Sequence, residues 1–299
     1  MKGVILMFEK ILAFFMSIVT FFMQLLGLST NVTTVKNVAY GDAERQVVDI
    51  YLPKNAEEAT GLMVFIHGGA WVSGDKSIYE KNCKSVADEY GFVTAAVNYR
   101  YINDSVHCED MLEDIDAAVT KIKEVAAENG ITIKAAAYGG HSAGGHLALM
   151  YSYTYADKSA VPVAFCFDMS GPADMKDANF FADTNALGHD NVINLCTWLT
   201  GVSVTDDNLC NDDIITALDS VSPATYVTSA TVPTIIAHGN ADDIVPYSNA
   251  VTLDNALTAA GVEHTFITYK NTGHGLDNDS SAASLYEETL KDYANRYLK

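Results

Sequence analysis

Basic residues are scarce in this chain: 18 Lys and Arg stand against 38 Asp and Glu, a formal net charge of −20. Without a basic face there is nothing to neutralise phosphates, so a nucleic-acid partner is excluded. The same long-range field disfavours polyanionic substrates. Cysteine is limited to five residues (Cys83, Cys108, Cys166, Cys196, Cys210), with no C-x-x-C and no spacing to histidine that suggests a metal site. Cys166, inside Val163-Ala164-Phe165-Cys166-Phe167, reads as a small core hydrophobe, whereas Cys196 and Cys210 are close enough in sequence to bridge if the domain lies outside the cytoplasm. Internal repeats and low-complexity linkers are also missing, which argues for one domain from about residue 30 to 299.

Charge is missing altogether from Ile11 to Leu28, eighteen residues preceded by Lys2 and Lys10. As a helix this run spans about 27 Å, close to a hydrocarbon core of roughly 30 Å. Residues 1–29 are therefore expected to be a secretion signal or a membrane anchor, with a hydrophobic helix docked on the domain as the alternative. The flanking lysines place the acidic remainder on the extracytoplasmic side, and residues 11–28 carry any membrane association.

From Asn31 onward the pattern is that of a globular domain. Val47–Pro53 alternates like a half-exposed strand, while Leu62–Ile66, Phe92–Val97, Val161–Met169 and Pro233–Ala237 are short apolar runs suited to strands covered on both faces. Helices are expected around Tyr79–Tyr90, Glu109–Glu128, Asn249–Ala260 and Ser281–Tyr297, and a last strand at Glu263–Tyr269. Alternation of this kind predicts an α/β fold, with a mostly parallel central sheet and helices on both faces. Residues 173–222 break the rhythm and are expected to form a small cap-like insertion after the sixth strand, helical or irregular, over one edge of the sheet.

The chain is organised around Gly139-Gly140-His141-Ser142-Ala143-Gly144-Gly145-His146. An apolar run, Ile131–Tyr138, precedes it and Leu147–Tyr151 reads as the start of a helix behind it, the strand, sharp turn and helix that a G-x-S-x-G nucleophile elbow requires. A turn that tight excludes bulky side chains beside the serine, and Gly140, Ala143, Gly144 and Gly145 satisfy it. A serine hydroxyl is a weak nucleophile at neutral pH, so Ser142 needs a histidine base and an acid to orient that base. His274, after the Glu263–Tyr269 strand, and Asp242, after the Pro233–Ala237 strand, lie where strand ends converge, in the order Ser, Asp, His. Asp243 is the neighbouring alternative acid. His238 and His264 are expected in packing or turn hydrogen bonds, and His146 in a structural role.

His67-Gly68-Gly69-Ala70-Trp71 follows the Leu62–Ile66 run directly. Small residues there let backbone N–H groups approach a developing oxyanion, so the amides of Gly69, Ala70 and Ala143 are expected to form an oxyanion hole. Gly68, Trp71 and His141 are expected to border the substrate.

Taken together, His67-Gly-Gly-Ala-Trp71, Asn98-Tyr-Arg100, Gly140-His-Ser-Ala-Gly-Gly145, Ser222-Pro-Ala-Thr225, His238-Gly-x-x-Asp242-x-x-Val-Pro246 and Gly273-His274 resemble the α/β-hydrolase esterases. The similarity covers about residues 36–299 and is to the hormone-sensitive-lipase-like carboxylesterases and the bacterial feruloyl-esterase-like branch. It implies hydrolysis of small-molecule carboxylic esters through an acyl-enzyme, with no cofactor and no metal. The third glycine of the lipase-type HGGG is Ala70 here, as in the HGGAW branch, which leaves the acyl preference open. Short-chain, acetyl or aromatic-acid esters are expected, with a serine amidase or peptidase of the arylformamidase or prolyl-oligopeptidase kind as the alternative.

Overall fold

Two strands with opposite neighbours set the plan of the molecule. The computed structural model describes residues 31–54, 56, 59–182 and 184–299; the apolar segment expected as a signal or anchor lies outside them. Among the described residues no helix is long and apolar enough to cross a membrane. Strands β1 (Val32–Ala39), β2 (Val47–Pro53), β3 (Ala59–Ile66), β4 (Val93–Val97), β5 (Thr132–His141), β6 (Val163–Met169), β7 (Thr234–Gly239) and β8 (His264–Tyr269) form one sheet in the order β1-β2-β4-β3-β5-β6-β7-β8. β2 is antiparallel to β1 and to β4, and every other pairing is parallel. From β3 the chain first builds outward through β4, then returns to β5 and builds the other way. The crevice between the carboxyl ends of β3 and β5 is thus the topological switch point, where α/β sheets place their ligands.

Helices cover both faces. On one side α1 (Glu80–Tyr90) and α7 (Ser280–Tyr297) bury Cys83, Ala87, Ala283, Tyr286 and Tyr293 against Phe65, Phe165 and Phe167 of the sheet. On the other, α2 (Cys108–Glu128), α3 (Ala143–Thr154) and α6 (Ser248–Ala260) cover Val64, Ile66, Tyr138 and Ile236. The helical spacing of Met111, Leu112, Ile115, Val119 and Ile122 explains the buried stripe of α2. That helix starts in a reciprocal cap between His107 and Asp110 and has no glycine or proline to interrupt it. α3 is buried from Ala143 through Ser152, so its apolar residues need no periodicity.

Two expectations are corrected, and a cysteine pairing that the sequence left open is decided. β2 is buried from Val48 to Pro53 because helices pack on both of its faces. Its polar alternate, Asp49, meets the Lys76 ammonium at 2.9 Å and the Asn37 amide at 2.8 Å instead of water. β1, which carries no strong apolar pattern, is the half-exposed edge strand next to it. Residues 173–222 do form helices, α4 (His189–Thr200) and α5 (Asp212–Ser220), but the sheet edges are β1 and β8, and the insertion lies instead above the switch point. It is tied there by His107, whose Nδ1 donates to the Trp198 carbonyl at 2.7 Å, and by Trp198 Nε1–H to Asp104 at 3.0 Å. Cys196 is fully buried in α4 and Cys210 is exposed, so the two are not bridged and all five cysteines are free thiols.

Candidate active site

Ser142 sits between β5 and α3 at φ 58°, ψ −125°, a conformation that costs a non-glycine residue about 1–3 kcal/mol. Its neighbours hold it there: the Ser142 amide donates to the Met169 carbonyl at 2.8 Å, and the His146 amide returns to the Ser142 carbonyl at 3.0 Å. The turn also crosses the end of β3 at close range. A Cβ on Gly140 or on Gly144 would stand 2.2 or 2.0 Å from the Ile66 carbonyl oxygen, so glycine at both positions is a steric requirement.

From that same end of β3 the chain makes three consecutive left-handed residues, Gly69 (φ 121°), Ala70 (φ 50°) and Trp71 (φ 59°). The Gly69 carbonyl is turned back to accept from the amides of Val72 (3.1 Å) and Ser73 (3.0 Å). The amides of Gly69 and Ala70, and that of Ala143 at the first position of α3, donate to no other described residue. Trp71 is anchored on the far side: its Nε1–H donates to His146 Nδ1 at 3.1 Å, which leaves His146 Nε2–H to donate to the Val221 carbonyl at 2.8 Å. Burial lowers the His146 pKa to about 4, so it is a neutral ring with one tautomer. The structural role expected for His146 is this link between the loop, the elbow helix and the end of the insertion.

His274 and Asp242 meet at the ends of β8 and β7. His274 Nδ1 is 2.7 Å from Asp242 Oδ2, and the Asp242 side chain is inaccessible to solvent. Its other oxygen, Oδ1, accepts the amides of Ile244 (2.9 Å) and Val245 (3.0 Å). Burial alone would raise this carboxyl, but the histidine partners His274 and His238 outweigh it and hold Asp242 well below the usual carboxylate range. Asp243, the alternative acid, is exposed and offers only its backbone carbonyl to the Ala186 amide at 2.7 Å.

Two other residues expected at the site stand behind it. His141 is buried, its ring centre lies 4.7 Å from that of His274 with the planes tilted by 56°, and it donates through Nε2 to the His274 carbonyl at 2.7 Å. Burial, and secondarily His274, lower its pKa to about 3. Gly68 is buried too, and its carbonyl accepts from His67 Nδ1 at 2.8 Å. Neither is among the residues that line the cleft; both support residues that do. Trp71, Ala70, Ser142 and His274 all line it.

The cleft is small, with a cavity volume of about 30 Å³. Beyond Ser142 and His274 its walls are apolar: Met175, Phe180, Leu187, Val192 and Leu195 come from the insertion, with Ile244 and Val245 from the loop after β7.

Two polar residues near the site were given no part in its chemistry by the sequence. His238, fully buried, makes the expected turn bond to the Val245 carbonyl (2.9 Å), and also points Nε2 at Asp242 Oδ2, 3.2 Å away. Burial would lower its pKa, but the bond to Asp242 prevails and raises it. The i, i+4 spacing of His238 and Asp242 across a Gly-Asn turn was the available signal. Asp168, on β6 beneath the elbow, is raised by burial to about 7 and accepts the Gly171 amide at 3.0 Å. Inside an apolar strand it gave no spacing signal at all.

The BD-FAE family model matches residues 48–257, and the dienelactone hydrolase family model matches residues 219–299. A probable isoprenylcysteine alpha-carbonyl methylesterase of rice (Oryza sativa subsp. japonica) is 24% identical over 251 residues, 80% of this chain and 58% of that protein. A kynurenine formamidase of Salmo salar is 30% identical over 146 residues, 46% of this chain and 47% of its own length. The chain thus spans about half the length of these curated relatives. Among solved structures, a truncated carbohydrate esterase from gut microbiota superposes with a TM-score of 0.72 at 23% identity, covering 90% of this chain and 99% of that one. The sheet order, the elbow at the switch point and a family model that spans more than two-thirds of the sequence lead to one placement: the chain belongs to the BD-FAE family and has the α/β-hydrolase fold.

Proposed function

We propose that this protein is a serine carboxylesterase that hydrolyses short-chain, acetyl or aromatic-acid esters through an acyl-enzyme on Ser142. The observation that carries the reading is that Ser142 and His274 face one cleft while His274 Nδ1 is bound to the buried Asp242 carboxylate at 2.7 Å. Asp242 keeps the His274 proton on Nδ1, so that Nε2 carries the lone pair that acts as a base. His274 then takes the Ser142 proton as Oγ attacks the ester carbonyl. The amides of Gly69, Ala70 and Ala143 receive the negative charge that builds on the carbonyl oxygen. Collapse expels the alcohol with the proton from His274, and a water activated by the same ring releases the acid.

The apolar walls favour an uncharged acyl or aryl group, since a charged one would lose hydration there with no partner to replace it. The test is hydrolysis of p-nitrophenyl acetate, butyrate and decanoate and of methyl ferulate by residues 30–299, with Ser142→Ala as control. Turnover of the short esters that disappears in Ser142→Ala is the expected result; equal turnover by that variant would overturn the reading. The likeness to kynurenine formamidase supports a second reading, hydrolysis of a formamide, and N-formylkynurenine belongs in the same panel. We also propose that the domain works outside the cytoplasm, exported or held by residues 1–29, on the basis of the uncharged run at 11–28 behind Lys2 and Lys10. Recovery of the full chain in the soluble cytoplasmic fraction would count against it.

A further inference from the structure

We propose that Arg45, in the turn between β1 and β2, is a positioning residue for the oxyanion loop, acting through His67. The inference rests on the reading of the Gly69 and Ala70 amides as the oxyanion hole. Arg45 belongs to no motif of the chain and does not line the cleft. Its guanidinium nevertheless reaches three points around the loop: Nε donates to the Tyr99 carbonyl at 2.9 Å, and Nη2 donates to His67 Nε2 at 3.1 Å and to the Gly74 carbonyl at 3.2 Å. Its Cζ lies over the Tyr101 ring, 3.7 Å from the centroid.

A guanidinium has donors and no acceptor, so His67 Nε2 must present its lone pair. The ring is then neutral and carries its proton on Nδ1, in agreement with the lowering of its pKa to about 4, chiefly by burial. That Nδ1–H donates to the Gly68 carbonyl at 2.8 Å. The Gly68 carbonyl and the Gly69 amide belong to one planar peptide, with oxygen and hydrogen on opposite sides. Pinning the oxygen therefore sets the direction of the Gly69 N–H. Nothing within the loop does this by itself, because Gly69 at φ 121° has the backbone freedom of glycine. The rest of the clamp fixes the ring that does the pinning: His67 stacks on Tyr99 at 4.4 Å, and the Tyr99 hydroxyl donates to the His67 carbonyl at 2.8 Å. Gly74 closes the back, since a Cβ there would stand 2.5 Å from His67 Nδ1.

The experiment compares the wild type with Arg45→Met and Arg45→Lys by p-nitrophenyl butyrate kinetics, by affinity for a trifluoromethyl ketone that forms a tetrahedral adduct with serine, and by the ¹⁵N shifts of the His67 imidazole. In Arg45→Met, kcat should fall about 10- to 100-fold with KM within about twofold, and the ketone affinity should fall by the same factor, somewhat less than the loss of an oxyanion donor outright. Arg45→Lys, a point charge without the fork, should lie between the two. The wild-type shifts should show Nδ1–H and an accepting Nε2, and Arg45→Met should mix the two tautomers. A folded Arg45→Met with wild-type kcat, or a wild-type His67 protonated on Nε2, overturns the proposal. If Arg45→Met does not fold, Arg45→Lys decides: reduced kcat at an unchanged Tm supports the role, and wild-type kcat refutes it. If the wild type hydrolyses no ester, the carboxylesterase reading falls, while the His67 shifts still decide whether Arg45 sets this tautomer.

Discussion

The two walls of the cleft are built on different principles. One is the set of loops at the carboxyl ends of β3, β5, β7 and β8, where Ser142, His274 and the 69–71 backbone are held by hydrogen bonds among buried groups and by glycines packed against carbonyl oxygens. The other is the insertion, which offers Met175, Phe180, Leu187, Val192 and Leu195 from helices and turns and contributes no polar side chain to the cleft. The first wall has no spare volume and few substitutable atoms; the second is defined by side-chain shape. Reaction type should therefore depend on the first, and the choice of acyl group on the second.

Substitutions can break or sharpen that contrast. The largest effect is expected on the first wall. Asp242→Asn should lower kcat by about 10⁴-fold, because an amide no longer forces the His274 proton onto Nδ1. Steady-state kinetics with p-nitrophenyl butyrate measure it, and a fall under tenfold would mean that Asp242 does not orient the base. Gly144→Ala should destabilise by more than about 4 kcal/mol, or abolish soluble expression. Its Cβ would meet the backbone at the end of β3, the Ile66 carbonyl oxygen at 2.0 Å and the His67 carbonyl carbon at 2.8 Å. Urea unfolding measures the change.

Asp168 tests the same wall through pH. Burial raises this carboxyl to about 7, so below that pH the folded chain holds it as the protonated acid. Its favourable share of stability is complete below about pH 4, where the unfolded chain also holds the proton. It is lost as pH rises through 7 and the buried group must ionise. Asp168→Asn keeps the acceptor for the Gly171 amide and removes the ionisation. Its stability relative to wild type should rise between pH 4 and pH 8, by at most about 4 kcal/mol, read as urea midpoints at each pH. A difference that does not vary with pH would show that Asp168 is ionised throughout.

On the second wall the expectation changes in kind. Leu195→Ala in α4 should cost about 2–4 kcal/mol of stability and reduce kcat/KM for decanoate more than for acetate, leaving acetate kcat within about twofold. Loss of acetate turnover would show that the insertion also positions the reacting groups. Gly188→Ala, at the start of α4, should be the mildest. A Cβ there meets only Asn191 Nδ2 at 3.7 Å, so the cost is that of the backbone alone, φ 82° and ψ 138°, about 1–3 kcal/mol. It is the counterpart of Gly144→Ala: both are glycines, but one is required by space and the other by backbone conformation alone.

The strand run, the Ser, Asp, His order and the small-residue loops were legible in the sequence because each is a local constraint. Continuous apolar runs are what a doubly covered parallel strand needs, and tight turns admit few residue types. The elements that were misread depend on distant neighbours. β2 alternates like an exposed strand, yet its polar position is neutralised by Lys76, twenty-seven residues on. Arg45 carries no spacing pattern that announces a role, since it acts on His67, a group supplied by another segment of the chain. Whether Cys196 and Cys210 pair was open in the sequence; α4 turns the Cys196 thiol into the core, and Cys210, beyond that helix, is exposed.

The sequence by itself determined the fold class, the elbow and the identity of the groups that could form a serine hydrolase site, because those follow from periodicity and from the steric limits of single turns. The tertiary structure decided which of these groups touch: that Asp242 and not Asp243 meets His274, that His141 and Gly68 stand behind the cleft, and that the insertion covers the switch point and not a sheet edge. Those outcomes depend on hydrogen-bond direction and burial among segments tens to hundreds of residues apart, which no local pattern encodes.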